Sequence, residues 1–481
     1  MRRASDDWRV QVVRKCLFFT LVLTMIIGLS GCWTGALNPT RTERKTSEGT
    51  GAERVLTAGP VTTEAITPSP AGSELITYIY TRDVGKIAVK IKLPEVPRYP
   101  EGAPVVVEVS TWFVYFVGFH MVNDVTEIGA ISVSYLWPER MDPESGDHST
   151  GVYDYGGPDS LMLLRDVINF ASGVKSNVDG YYISDLIAVT PLTDNVGLWA
   201  SSHSGVLATN VLAYHGSEMP NVKYLVGREN PTLPEMYPLE IGYFDDQRNK
   251  VLNPFYYPDD YAPTSINVDY SSVGWFREDA QDRGRPYFAA SAGRPQHILH
   301  EEICPELLGK RYYSHPLTEA LLVNGALTLD DWPEDLATPD ETKAWAFRTV
   351  VFNYPKIAVR IPDLKVMLVF ADYDHVQAAA DKPHIHQAYD GFRHTAGLPW
   401  VRMNPDIAYM EQIEPNLPPR VPDNDANTEP ADWSNSEQWG FPSLELRRQK
   451  VWLAAVAEMV DRVRFDDWHP NLEQVLFTPR Q

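Results

Sequence analysis

The chain has 481 residues, 44% of them hydrophobic, 11% aromatic and 22% charged, so it can bury a sizeable core and is not disordered, collagen-like or coiled-coil. Its 64 acidic residues outnumber the 42 basic ones and give a formal net charge of −22, which disfavours nucleic acid as a partner. The three cysteines, Cys16, Cys32 and Cys304, provide neither a disulfide scaffold nor a Cys-rich zinc site.

The N-terminus has the layout of a signal peptide. Five basic residues within the first 15 precede an uninterrupted apolar run, residues 16–29. That run is shorter than the roughly 20 residues that cross a bilayer as a helix. We therefore predict a removable signal peptide over residues 1–31.

A short motif follows the apolar run. Leu29-Ser30-Gly31-Cys32 resembles the Leu-x-Gly-Cys box of bacterial lipoproteins, in which the cysteine is lipidated and becomes residue one. The resemblance implies acyl chains on Cys32 that hold the mature protein on a membrane of the bacterial cell envelope, facing the periplasm or the exterior. The alternative is a small-residue cleavage site beside an incidental Cys32.

Residues 32–73 are rich in Thr, Ser, Gly and Pro and lack apolar periodicity, which predicts a flexible tether. The next segment, residues 75–95, alternates apolar and polar residues around Asp83-Val84-Gly85, which is typical of an antiparallel hairpin.

Strand and helix patterns then alternate. Apolar β-branched runs predict buried strands at 104–113, 130–138, 196–201, 222–227, 366–371 and 400–404. Helical spacing appears at 161–174, 205–215, 384–395 and about 444–465. This alternation predicts an α/β fold with a mostly parallel sheet flanked by helices, built from residues 74–230 and 343–481.

Residues 231–342 interrupt this pattern. The segment is dense in Pro, Tyr and Asp, and its apolar periodicity is poor. Because it leaves the core after one strand and returns before the next, we predict a cap that shapes a binding site. A surface decoration without function is the alternative.

One motif between a strand and a helix carries chemistry. Ser202-His203-Ser204-Gly205 follows the strand at 196–201 and opens the helix at 205–215. A serine on such a tight turn projects its hydroxyl above the sheet, close to the helix N-terminus. The motif resembles the Gly-x-Ser-x-Gly nucleophile elbow of the α/β-hydrolase family in a degenerate form, with Ser202 and Val206 in place of the glycines. The resemblance implies that Ser204 is the nucleophile.

The same resemblance suggests the remaining catalytic groups. Asp374 falls on the position of the acid, after the strand at 366–371. The loop after the last strand, where the family carries its catalytic histidine, has none in this chain. His384, at the start of its helix, is our candidate base. His297, His300 and His315 of the insertion are the alternatives, and any of these histidines could instead be a packing or surface residue.

The family stabilises the oxyanion with two backbone N–H groups. Gly205, directly after Ser204, matches the first position, and Trp112 in the loop after an early strand is a candidate for the second. Neither metal ligands nor a phosphate cradle has the required spacing, so we predict no metal and no cofactor.

These patterns predict a lipid-anchored serine hydrolase of the cell envelope that cleaves an ester or peptide bond in a small-molecule or peptide substrate. The alternative is a non-catalytic lipoprotein that uses the same scaffold for binding and lacks the catalytic histidine.

Overall fold

The computed structural model describes residues 67–110, 118–119, 124–232, 346–369, 383–398, 400–413 and 444–468, together with short segments between 242 and 312. The predicted signal peptide, Cys32 and most of the tether lie outside the described residues. None of the described helices is both long and apolar enough to cross a membrane.

A mixed sheet of eight strands forms the centre of the protein. Its strands are Glu74–Thr81 (β1), Gly85–Lys92 (β2), Ala103–Glu108 (β3), Ile131–Tyr135 (β4), Pro191–Ser201 (β5), Val222–Arg228 (β6), Lys365–Val369 (β7) and Trp400–Met403 (β8). They lie side by side in the order β1-β2-β4-β3-β5-β6-β7-β8. The pairs β1/β2 and β2/β4 are antiparallel and the remaining neighbours are parallel. The predicted α/β fold class with a mostly parallel sheet is confirmed.

Helices cover both faces of this sheet. They are Pro158–Ala171 (α1), Ile183–Leu186 (α2), Ser204–His215 (α3), Tyr354–Arg360 (α4), Pro383–Asp390 (α5), Ile407–Ile413 (α6) and Leu444–Phe465 (α7). Successive residues of a strand point to opposite faces. Val105 and Val107 accordingly join the apolar cluster that contains α1, α3, α4 and α5, whereas Val106 joins the cluster that contains α7.

The last helix is fixed to the middle of the sheet. Trp452 of α7 packs on Trp199 of β5 with ring centroids 4.8 Å apart. The Asn195 side-chain amide of β5 donates to the backbone carbonyl of Val460 at 2.8 Å. The cation of Arg228, the last residue of β6, lies 4.0 Å from the centroid of the Trp452 ring. One helix thus braces the two strands that carry the candidate site.

The predicted hairpin at the start of the body is confirmed. β1 and β2 pair without a register shift from Glu74↔Lys92 to Thr81↔Gly85. Asp83 adopts φ 64° in the turn, a conformation that Asp tolerates better than most residues.

Short antiparallel strands occur within the insertion. Val268–Phe276 pairs with Arg285–Ala290, which in turn pairs with His297–Ile298. Two further pairs join Gly242–Phe244 with Lys250–Leu252, and Glu302–Cys304 with Lys310–Tyr312. The cap function of this segment stays a prediction.

Candidate active site

The turn between β5 and α3 is as tight as the sequence predicts. β5 ends at Ser201 and α3 begins at Ser204, so only Ser202 and His203 connect them. Ser202 adopts φ 56°, in the left-handed region that non-glycine residues seldom occupy. Its backbone N–H donates to the carbonyl of Arg228 on the neighbouring strand at 2.8 Å. Ser202 is therefore the apex of the turn, held there by a bond to β6.

Ser204, the predicted nucleophile, occupies a different environment. It is 1% exposed, and its hydroxyl donates to the Ser201 carbonyl at 2.7 Å while accepting the Ser201 N–H at 2.7 Å. The hydroxyl thus ties the first turn of α3 to the end of β5. Among the described residues, the hydrogen bonds of the Ser204 hydroxyl go to Ser201 and none goes to a histidine.

Ser202 has the surroundings that the motif requires. It is partly exposed, and its hydroxyl makes no hydrogen bond to the described part of the chain. Small residues, Ala200 and Ser204, stand two positions to either side of it. That spacing was visible in the sequence, but Ser202 was there assigned to the position of the first glycine.

Gly205, predicted to stabilise an oxyanion, has another role in this geometry. Its N–H donates to the Ser202 carbonyl at 2.9 Å and closes the turn. A Cβ atom on Gly205 would lie 1.9 Å from Cγ of Asn230. Glycine is needed here because the segment after β6 packs directly against the turn. With Ser202 at the apex, the following amide is that of His203, and the second predicted donor, Trp112, lies outside the described residues.

A carboxylate that the sequence reasoning missed stands at the end of β6. Glu229 follows the last residue of that strand, adopts φ 45° and donates its backbone N–H to Val369 of β7 at 3.0 Å. Its carboxylate Oε2 lies 2.7 Å from Nε2 of His384. Both side chains are buried, with exposures of 2% for Glu229 and 0% for His384.

His384, the predicted base, therefore lies at the carboxyl end of the sheet, near the start of α5. Its other ring nitrogen, Nδ1, is buried and has no hydrogen-bond partner among the described residues. His384 is connected to the turn through two hydrogen bonds. The Ser202 N–H donates to the Arg228 carbonyl, and Glu229, the next residue, contacts His384 through its carboxylate.

Four other predicted site residues belong to the segments that follow β6 and β7 in the sequence. The predicted acid, Asp374, and the alternative bases His300 and His315 lie outside the described residues. His297 begins a short strand of the insertion. Within the described ranges, no group of three His, Cys, Asp or Glu residues is arranged to hold a metal ion.

The end of β8, where the family resemblance implies a catalytic histidine, is built for packing. The sequence here is Asn404-Pro405-Asp406, and the Asp406 N–H donates to the Glu458 carboxylate of α7 at 2.6 Å. Arg402 and Arg462 contact the same buried carboxylate at 3.0 and 2.7 Å. These contacts bind the last strand to the last helix.

No protein-family model and no curated protein sequence matches the chain. Several solved structures are similar to it at low identity. One is an arylesterase, with 11% identity, a TM-score of 0.34, and coverage of 83% of this chain and 87% of that one. Another comes from a study of two fungal esterases from Rhizomucor miehei, with 11% identity, a TM-score of 0.35, and coverage of 69% and 72%.

A third similar structure is the acylaminoacyl peptidase of Pyrococcus horikoshii, with 9% identity, a TM-score of 0.32, and coverage of 69% of this chain and 36% of that one. Likenesses at this level do not determine an activity, which depends on the residues of the site.

Proposed function

We propose that the protein is a serine hydrolase that cleaves an ester or peptide bond with Ser202 as its nucleophile. The observation that carries this proposal is the position of Ser202 at positive φ between β5 and α3, with its hydroxyl unbonded to any described residue. Strained backbone in a non-glycine residue is maintained only when its surroundings enforce it, and it concentrates at functional sites.

The turn provides two of the requirements for acyl transfer. Ser202 projects from the carboxyl end of β5, where an approaching carbonyl carbon could be attacked by its oxygen. The N-terminus of α3 follows at once, and its backbone N–H groups and dipole favour the negative charge that develops on the carbonyl oxygen. An acyl-enzyme would form as the alcohol or amine leaves, and water would release the acid.

Ser204 is a weaker nucleophile candidate because its hydroxyl is already engaged. Attack by Ser204 would require it to give up its two bonds to Ser201 and to emerge from a buried position. Ser202 needs neither change.

The environment of this hydrolase remains as the sequence suggests. Acyl chains on Cys32 would hold it at a membrane of the cell envelope, and the Tyr- and Pro-rich insertion would form a pocket for an apolar or aromatic group of a small-molecule or peptide substrate. We include both features in the proposal.

A fluorophosphonate probe tests the nucleophile. Wild-type protein is expected to be labelled, Ser202→Ala to lose labelling by about 10³-fold or more, and Ser204→Ala to retain it at a reduced rate. The two variants are a matched pair because each removes one hydroxyl from the same turn. Peptide mapping should locate the adduct on Ser202, and an adduct on Ser204 would overturn the assignment.

A non-catalytic binding protein is the second candidate. One observation favours it: the end of β8 carries Asn404 to Asp406 and no histidine. Wild-type protein that is folded but neither labelled by the probe nor active on p-nitrophenyl acetate would support this candidate and reject the hydrolase.

A further inference from the structure

The buried pair of His384 and Glu229 needs a functional explanation. Polar side chains are rarely fully buried in a protein core, because their desolvation must be offset by hydrogen bonds. The pair satisfies Nε2 of His384 but leaves Nδ1 buried without a partner in the described structure. Buried polar atoms without a partner also occur at Thr81 and Tyr224, so what distinguishes this pair is its position beside the Ser202 turn.

The pair is held rigidly. The Glu229 backbone is fixed by its bond to Val369 on β7. Three residues after Glu229, the hydroxyl of Thr232 forms a hydrogen bond with the side chain of Gln387, which lies one turn after His384 on α5. The segment after β6 is therefore attached to α5 at two points, which restricts the orientation of the imidazole ring.

The pair also adjoins the Ser202 turn. Arg228 accepts the Ser202 N–H immediately before Glu229, and the Asn230 side chain packs against Gly205 immediately after it. Arg228 and Asn230 thus both contact the turn, and Glu229, whose carboxylate contacts His384, lies between them in the sequence. Ser202 and His384 are not hydrogen-bonded to each other, although catalytic hydrogen bonds commonly form only in the substrate complex.

The carboxylate determines which nitrogen can act. Because an ionised carboxylate can only accept a hydrogen bond, it places the proton of a neutral His384 on Nε2 and leaves a lone pair on Nδ1. Nδ1 is the unpartnered atom. The ring is therefore prepared to accept a proton at that nitrogen, while the negative charge of Glu229 stabilises the imidazolium that results.

We propose that His384 is the general base for Ser202 and that Glu229 is its positioning carboxylate. The inference rests on the proposed hydrolase function and deepens it. Nδ1 of His384 takes the proton of the Ser202 hydroxyl as the oxygen forms its bond to the carbonyl carbon. The imidazolium then gives that proton to the departing alkoxide or amine. In the second half-reaction His384 takes a proton from the attacking water and returns it to the Ser202 oxygen as the acyl–oxygen bond breaks and the acid leaves.

This assignment departs from the one that the family resemblance implies. The acid follows β6, whereas Asp374 follows β7, and the histidine comes from α5 rather than from the end of β8. The end of β8 cannot easily hold a base, because Asp406 and Arg402 are bound to Glu458 there.

The experiment measures kcat and KM for p-nitrophenyl acetate in wild type, His384→Gln and Glu229→Gln. We expect kcat to fall by about 10²- to 10⁴-fold in both variants with KM within about threefold of wild type, because proton transfer is lost and substrate binding is not. Glu229→Asp, which keeps a carboxylate, should recover part of the lost kcat. Far-UV circular dichroism and urea unfolding check that each variant is folded.

His215 and Glu218 provide matched controls. They form a second His–Glu pair, at 2.8 Å: His215 is the last residue of α3, and Glu218 ends the short 3₁₀ helix that follows it. His215→Gln and Glu218→Gln should retain wild-type kcat.

Three outcomes decide between the inference and the function on which it rests. If His384→Gln and Glu229→Gln keep wild-type kcat while Ser202→Ala abolishes turnover, the base assignment is wrong and the hydrolase stands. If Ser202→Ala keeps turnover, the proposed function itself fails. If both variants of the pair unfold, His384 and Glu229 are structural and the inference is rejected.

Discussion

A histidine and a glutamate are in hydrogen-bond contact near each end of helix α3. At the N-terminal end, His384 and Glu229 are 2.7 Å apart and almost fully buried. At the C-terminal end, His215 and Glu218 are 2.8 Å apart, with side-chain exposures of 19% and 48%. The same two residue types thus meet at nearly the same distance in opposite environments. The two pairs therefore differ in exposure rather than in residue type or distance.

The N-terminal end of α3 is also more tightly packed than its C-terminal end. Gly205, at the N-terminal end, is pressed against Asn230, whereas Gly216, at the C-terminal end, faces Ile361 and Arg360 side chains. The missing Cβ of Gly216 would lie 2.7 Å from its nearest neighbour, Cγ1 of Ile361, compared with 1.9 Å for Gly205. The N-terminal end therefore has much less room for adjustment.

Replacing these two glycines by alanine should give the largest contrast in stability. Gly205→Ala overpacks a rigid contact, and we expect a loss of about 3 kcal/mol in the free energy of unfolding. Gly216→Ala, where φ is −52° and a flexible Ile361 can move, should change it by less than about 1 kcal/mol. Urea unfolding of the two variants measures the difference.

Asn230→Gly in the Gly205→Ala background serves as the control, because it removes the side chain that the new methyl group would meet. It should restore part of the lost stability. Equal losses for Gly205→Ala and Gly216→Ala would contradict the view that the N-terminal end is the more tightly packed.

Removing the two glutamates should produce a smaller contrast. Glu229→Ala leaves the buried Nε2–H of His384 without an acceptor, which costs about 1–3 kcal/mol. Glu218→Ala breaks a largely solvated contact and should cost about 0–1 kcal/mol. Thermal and urea unfolding at pH 7 measure the stability of both variants. If Glu218→Ala lost as much stability as Glu229→Ala, the buried pair and the exposed pair would not differ in their contribution to stability.

The smallest expected effect is a change in how stability depends on pH under acidic conditions. Burial raises the pKa of the Glu218 carboxyl, but the hydrogen bond and charge of His215, followed by those of Arg165, outweigh it, so the pKa lies below its ordinary value of 4.5. Because the pKa of Glu218 is lower in the folded than in the unfolded protein, its ionised carboxylate stabilises the fold at pH values above the unfolded pKa. This contribution is lost as the pH falls through the folded pKa. Glu218→Gln should therefore slightly flatten the decline of stability below about pH 4.5. If the free energy of unfolding of Glu218→Gln declined below about pH 4.5 as steeply as that of wild type, Glu218 would contribute nothing to the pH dependence of stability.

The long elements of the fold were predictable from the sequence. The helix at 444–465 and the hairpin around Asp83 depend on sustained local periodicity, and the structure confirms both. The predicted strand ends were less accurate. β5 begins at Pro191, five residues before the predicted apolar run at Val196, because the first residues of the strand pair with β3 although they do not form an apolar run.

The candidate site was predictable only in part. The sequence located the turn between β5 and α3, but the apex depends on where β5 stops, and a bond from Ser202 to Arg228 on another strand decides that. The family motif assigned the nucleophile to Ser204, whereas we propose Ser202, which the small residues Ala200 and Ser204 flank.

Glu229 had no comparable local signal. A glutamate after a buried strand is common in any chain, and its meaning here comes from the lateral order β5-β6-β7. That order places the ends of three strands side by side and brings His384, 155 residues later, onto Glu229. Such a relation is a property of topology and cannot be read from spacing.

The bracing of β5 and β6 by α7 has a consequence for how the protein matures. Trp452 supports Trp199 and Arg228, which stand just before Ser202 and Glu229. Because α7 follows β5 and β6 in the chain, it is synthesised after them. A partly made chain would therefore have the serine turn without the helix that supports it, and the turn would gain this support only once α7 has been made.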